Sequence, residues 1–273
     1  MGARPSTAGY IHGTSAAEHE RLRWMNQLLN ARELDAIGMA GDERVLELGA
    51  GTGLFARALA ERLPRGSVLG IELDERQLAA ARGNTAGLAN VELRRGDACA
   101  PPLTPAELGN FDLVHARFLL EHLTQPEAAV RAMARAVRPG GRVALVDDDH
   151  DTLRLWPEAP AFTGLWRAYC AEYTRRGMDP WIGRRLTGLL VGAGLEPCEA
   201  TLLFFGACAG MELFPTVMDN MVGVVAGAAE DLCRSGALGP SEIAAGLAEI
   251  RAWAELPGAA LWYGVPYAAA RRP

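Results

Sequence analysis

The sequence predicts an α/β protein built on a mostly parallel sheet with helices on both faces, and three observations carry that expectation. Short apolar runs alternate with helix-length segments from residue 44 onward, the pattern of strands joined by crossover helices. The first apolar run leads straight into a turn with glycine at 49, 51 and 53. The 273 residues are 49% hydrophobic, enough to bury one large core with an appended part rather than two full domains. A single domain over 1–273 is therefore expected. It divides into a helical arm over 1–40, a ligand-binding core over 41–150, and substrate-side helices, last strands and a cap insertion over 151–273.

Each element follows in order. Residues 1–14 are rich in Gly, Pro, Ser and Thr; Ser15 with Glu18 then offers a capping box. Leu22, Met25, Leu28 and Leu29 share one face, so 16 to about 34 reads as an amphipathic helix. VLELG (45–49), VLGIEL (68–73), VELRRGD (91–97), FDLVHA (111–116) and RVALVDD (142–148) read as strands, with FARALAERL, ERQLAAAR and EAAVRAMARAVR as helices between them. Pro139-Gly140-Gly141 ends the third of these helices. Helices follow at about 158–176 and 184–192, then a strand at 199–208, a helical excursion at about 215–255 and a closing strand at 261–270. The excursion is too long for a turn and reads as a cap or interface element. Seven strands result.

Composition narrows the chemistry. All 27 basic residues are arginine, so with no lysine amine the chain cannot form a Schiff base. A net charge of -6 without a basic run argues against nucleic-acid or anionic-membrane partners and favours a small molecule. The five cysteines are scattered, without Cys-x-x-Cys or a Cys/His cluster, as in a reduced protein lacking structural zinc. No apolar stretch is long enough for a membrane span and no signal region is visible, so a cytoplasmic location is expected.

The strongest chemical signal is Glu47-Leu48-Gly49-Ala50-Gly51-Thr52-Gly53. Glycines there let the backbone turn tightly and approach a ligand closely. A dinucleotide fingerprint would need Gly or Ala at position 54, where Leu54 stands, which disfavours a nicotinamide-dependent oxidoreductase. About twenty residues on, Glu72 ends the second strand, where an acid suits the hydroxyls of a ribose. A solvated surface glutamate is the plainer reading of Glu72 alone.

These residues resemble the class I, Rossmann-like S-adenosylmethionine (SAM)-dependent methyltransferases, in particular the small-molecule enzymes related to ubiquinone and menaquinone biosynthesis. The resemblance covers about 40–150. It implies SAM as cofactor, with the ELGAGTG segment (Glu47, Gly49, Gly51, Gly53) on the methionine part and Glu72, followed by Leu73, on the ribose side. It also implies the Asp97 carboxylate and the Ala98 amide on the adenine edge, and Arg117 near the methionine end, with Glu121 and His122 in the next turn. An adenine edge wants one acceptor and one donor, which Asp97 and a backbone N–H supply. Asp97 also suits a helix cap and His122 a core histidine. Tyr10 stands ahead of the first helix as a candidate lid over the cofactor, against a loose glycine-rich arm.

Asp147-Asp148-Asp149-His150 ends the fifth strand, where acceptors bind in open α/β sheets. A general base, a divalent metal and recognition of a cationic amine compete for it, against plain strand-end and helix capping. Consecutive strand residues alternate faces, which counts against a metal, and no metal ligand set is expected. Asp149 and His150 are the catalytic candidates. Trp156, Phe162, Trp166, Tyr169, Tyr173, Phe214, Met218 and Met221 line an apolar acceptor pocket or, at helical spacing, ordinary core.

The expected reaction is transfer of the SAM methyl to an O, N or C nucleophile of a small acceptor, the protein holding the reactants in line and excluding water. A cyclisation or rearrangement with SAM bound but not consumed is the alternative, and a non-catalytic binding protein a further one. A homodimer is compatible with either enzyme reading.

Overall fold

The computed structural model describes residues 29–273. The proposed capping box at Ser15, the start of the first helix and Tyr10 lie outside the described residues. Contacts divide these residues into two compact units. The larger holds 29–149, 181–203 and 265–273; the smaller holds 150–180 and 204–264.

The larger unit begins with a helix over 29–37 (α1), whose buried Leu29, Glu33, Leu34 and Ile37 recur at helical spacing. The alternation then unfolds as expected: β1 (Arg44–Leu48), α2 (Leu54–Glu61), β2 (Ser67–Glu72), α3 (Glu75–Asn84), β3 (Val91–Arg95), β4 (Phe111–Arg117), α4 (Pro126–Ala136) and β5 (Val137–Val146). α6 (Leu186–Gly192) also belongs to this unit. The strand order β3-β2-β1-β4-β5, continued by β8 (Ala260–Arg271), places β1 and β4 centrally. β1 to β5 are parallel, and β8 pairs antiparallel to β5 through 267–271. β1 and β4 are almost wholly buried, and the polar Glu47 and His115 are buried within them alongside apolar residues.

β5 starts five residues earlier than the apolar run at 142–148 predicts and stops at Val146. Pro139-Gly140-Gly141 does not separate helix from strand; it forms an irregularity inside the strand, where the register with β4 shifts between Phe111 and Leu113. Gly140 has φ +74°, and a Cβ on Gly141 would lie 2.7 Å from Val137 Cγ2, so neither position tolerates a side chain.

In the smaller unit, α5 (Pro160–Arg175), α7 (Phe214–Arg234) and α8 (Pro240–Ala254) pack together. The long excursion predicted as one helix is two, broken after Arg234 where Gly236 takes φ +72° and Gly239-Pro240 starts the next helix. α5 and α8 approach closely because Gly246 has no side chain: a Cβ there would sit 2.9 Å from Leu165. Glu249 of α8 accepts from the amide of Phe162 at 2.8 Å, satisfying one free N–H of the α5 start. A three-residue strand not foreseen in the sequence, β6 (Arg154–Trp156), pairs with residues 260–262 of β8. β7 (Glu196–Cys208) pairs with β8 as well, making eight strands among the described residues.

The aromatic set resolves accordingly. Phe162, Trp166, Tyr169, Tyr173, Phe214, Met218 and Met221 are buried, whereas Trp156 is 63% exposed. Trp156 is therefore a surface residue of β6 and no part of an apolar core. No helix among the described residues is long and apolar enough to cross a membrane.

Candidate functional site

β1 delivers the chain into the glycine turn at the carboxyl end of the central strands. Gly49, Gly51 and Gly53 all have positive φ, at +74°, +54° and +74°, a region that side-chain-bearing residues rarely occupy. Gly53 carries a second constraint, because a Cβ there would lie 2.8 Å from Ala81 Cβ of α3. The amides of Gly49 and Ala50 donate to Ile71 O at 2.8 and 3.0 Å, holding the turn to the end of β2.

Glu72 completes that joint. Its Oε2 accepts from Gly51 N and its Oε1 from Asp74 N, each at 2.8 Å. Burial pushes the Glu72 carboxyl above its ordinary range, with the Asp74 and Gly51 amides pulling the other way. Each carboxylate oxygen retains a second acceptor position for a ligand hydroxyl. Glu72 is thus no solvated surface glutamate. Leu73 beside it is half exposed. Asp97, after β3, accepts from Cys99 N at 2.8 Å through Oδ1, and Ala98 next to it is buried. Asp97 caps no helix; it holds the turn that brings it back to an isolated bridge with Ala100.

Beneath the turn lies a buried polar group that spans α1, β1 and β4. Glu47 and His115 are register partners on adjacent strands. His115 Nε2 is 2.7 Å from Glu33 Oε1, and Arg117 donates to Glu33 Oε2 at 2.5 Å and Asn30 Oδ1 at 3.0 Å. The Arg117 guanidinium also sits 4.3 Å over the Phe55 ring. Burial would raise the Glu33 carboxyl, but Arg117 and His115 outweigh it and hold the group below its ordinary range. For Glu47 the balance falls the other way: burial drives its carboxyl up to about 8, opposed by Arg117, with Glu33 and Glu72 adding to the rise. Glu47 Oε2 is buried without a hydrogen-bond partner.

Residues 45–141 match a family model described as a methyltransferase domain. This stretch is thus similar to methyltransferase domains and covers part of the chain. Over 142 residues the chain is 34% identical to ubiquinone biosynthesis O-methyltransferase of Pseudomonas aeruginosa, a stretch covering 51% of this chain and 56% of that protein. It is 32% identical over 163 residues to an uncharacterized 37.1 kDa protein of a Streptomyces fradiae transposon, covering 59% and 46% respectively. The chain spans about half the length of these curated relatives. A Bacillus halodurans structure shares the fold with TM-score 0.58 and 24% identity over 89% of this chain and 98% of that one. The (4+2)-cyclase SpnF shares it with TM-score 0.55 and 20% identity over 90% and 80%.

Haemonchus contortus phosphoethanolamine N-methyltransferase 2 in complex with S-adenosyl-L-methionine shares the fold with TM-score 0.52 and 17% identity over 93% of this chain and 52% of that one, and the residues present here fit such a cofactor. Glycine at 49, 51 and 53 adds no side chain of its own to the turn, Glu72 keeps spare acceptor capacity beside it, and one oxygen of Glu47 is buried without a hydrogen-bond partner. α2 starts at Gly53 with no side-chain cap, so its first amides remain available.

Several of the candidate residues take places the sequence does not reveal. Arg117 is committed to Glu33 and Asn30 of α1, so its charge is already matched. Glu121 is buried and lies 3.5 Å from His122 Nε2 in the turn Leu120–His122. Asp147 accepts from the amides of Leu119 and Leu120 at 3.1 and 2.7 Å, the capping role expected of a strand-end aspartate. Burial, with Glu121 and Asp148 nearby, raises its carboxyl well above the ordinary range. Asp149 accepts from Arg184 Nε and Nη2, at 2.7 and 2.6 Å. His150 belongs to the smaller unit, where Nδ1 is 2.9 Å from the Tyr263 hydroxyl and the ring lies among Trp166, Tyr169 and Tyr173.

Sequence reasoning missed Asn30, Glu33, His115 and Arg184. Glu33 lies 82 residues from His115 and 84 from Arg117, and no local pattern predicts such pairs. Phe118 was missed too. It takes φ +48° at the end of β4, a strained conformation of the kind found where a site over-determines the backbone, and nothing in its residue type announces it.

Proposed function

We propose that this chain is a SAM-dependent methyltransferase that methylates an O, N or C nucleophile of a small-molecule acceptor. The joint made by Glu72 between Gly51 and Asp74 carries the reading, because it sets an acid with spare acceptors beside a glycine-rich turn. In this reading Glu72 receives the ribose hydroxyls and Leu73 covers an adenine face. Asp97 with the Ala98 amide takes the adenine edge, and Gly49 to Gly53 with Glu47 hold the methionine part. The cofactor supplies a methyl group already activated on a sulfonium, so this chain's residues have to bind, orient and exclude water. Asp149 and His150 remain candidates for handling the acceptor's proton. Arg184 keeps Asp149 in one orientation, and Tyr263 does the same for the His150 ring.

A cytoplasmic enzyme without nucleic-acid or membrane partners suits a net charge of -6 carried without a basic run. The (4+2)-cyclase SpnF has the same fold, so consumption of the cofactor is the readout that separates methyl transfer from chemistry run with SAM intact. Calorimetry with S-adenosylhomocysteine tests the binding half. A mass-spectrometric screen of candidate metabolites for gain of one methyl group tests the reaction. Failure to bind S-adenosylhomocysteine overturns the proposal.

A further inference from the structure

Within the larger unit, a groove of about 360 Å³ lies between α4 and α6, lined by Glu127, Arg131, Arg184, Arg185, Gly188 and Gly192, among others. Its position follows from two tight joints. α4 begins just after the turn Leu120–His122 that follows β4, so Glu127 and Arg131 occupy its first turns at the carboxyl end of the sheet. Gly183 donates to Asp148 O at 2.9 Å, and a Cβ there would lie 2.7 Å from Asp147 O. The turn Ile182–Arg185 is therefore pressed against the end of β5, which sets Arg184 and Arg185 beside it. Ligands of open α/β sheets bind outside the carboxyl ends of strands.

The chemistry of the groove is unusual for this chain. Three arginines face one glutamate in a protein of net charge -6. Arg184 pairs with Asp149 and Arg185 lies 3.1 Å from Glu127. Arg131 has no ion pair or hydrogen bond among the described residues. The α6 side offers no obstruction, since a Cβ at Gly188 or Gly192 would meet nothing within 4 Å. Planar guanidinium groups around a small open floor suit a phosphate or carboxylate, which they bind in a forked geometry.

We infer that this groove binds the anionic head of the acceptor, a phosphoryl or carboxylate group, with Arg131 as its uncommitted cation and Arg184 and Arg185 beside it. The inference rests on the methyltransferase reading above and adds the acceptor's chemical class. It also gives Arg184 two faces, one on the Asp149 carboxylate and one on the groove.

The test is calorimetric titration of inorganic pyrophosphate, and separately citrate, into the full chain at low ionic strength, with S-adenosylhomocysteine affinity measured on the same samples. At least one anion is expected to bind, and Arg131→Glu to weaken it about tenfold or more with S-adenosylhomocysteine affinity unchanged. Tighter binding of pyrophosphate points to a phosphoryl head and of citrate to a carboxylate head. Arg131 is exposed and carries no structural contact, so the variant keeps the fold, which circular dichroism confirms. No binding of either anion by a chain that binds S-adenosylhomocysteine overturns the inference and leaves the methyltransferase reading standing. Anion binding unaltered in Arg131→Glu overturns it as well. Loss of S-adenosylhomocysteine binding alone counts against the broader reading and not against the groove.

Discussion

Glu72 Oε2 accepts the Gly51 amide at 2.8 Å, and that single bond joins the end of β2 to the turn that follows β1. The carboxylate is at once part of the architecture and part of the proposed cofactor site. Glu72→Ala should therefore weaken S-adenosylhomocysteine binding by about 1.5–3 kcal/mol, through lost charge-assisted hydrogen bonds, and also lower the melting temperature. Glu72→Gln keeps the shape and one acceptor, so it should fall between. Calorimetry and thermal denaturation read the two effects, and wild-type affinity in folded Glu72→Ala would remove this residue from the site.

Gly53 should tolerate substitution worse than its neighbours in the turn. Its φ of +74° and the 2.8 Å approach to Ala81 Cβ act together, so Gly53→Ala is expected to cost about 2–4 kcal/mol of stability from backbone strain and overpacking. Adding Ala81→Gly relieves the clash but not the strain, and should recover only part. Urea denaturation of the single and double variants measures the split.

Glu47 should make stability depend on pH. Its carboxyl stays protonated in the folded chain up to about 8, whereas the unfolded chain ionises near 4.5. Below the unfolded value both states bind the proton and nothing is lost. Between there and about 8 the unfolded state is favoured by up to about 1.4 kcal/mol per pH unit, and above that the loss levels off. Glu47→Gln removes this slope, so the variant should gain on the wild type as pH rises from 5 to 8 in denaturant titrations. A parallel pair of pH profiles would show that Glu47 is not held neutral.

Asp149 and His150 should affect the acceptor step and not cofactor affinity. If either removes a proton in the rate-limiting step, Asp149→Asn or His150→Gln cuts turnover by roughly 10²–10⁴-fold with S-adenosylhomocysteine binding preserved. Arg184→Ala should lower turnover less, by releasing the Asp149 carboxylate from its fixed orientation. Full activity in the double variant Asp149→Asn, His150→Gln would take this strand end out of the chemistry, and activity that survives EDTA would argue against a metal there.

The sequence by itself determined the alternation of strands and helices in the larger unit, the glycine turn and Glu72, because these depend on periodicity and backbone freedom over a few residues. The boundaries of β5 and the break between α7 and α8 were less legible, since Pro and Gly mark an irregularity without saying whether it falls inside an element or between two. What only the tertiary structure decided is which charges meet. The Glu33 carboxylate on His115 and Arg117, the Arg184 clamp on Asp149 and the uncommitted Arg131 depend on contacts between segments far apart in the chain. Their energies arise from burial and from distances of a few ångströms, quantities that do not exist until the chain has folded.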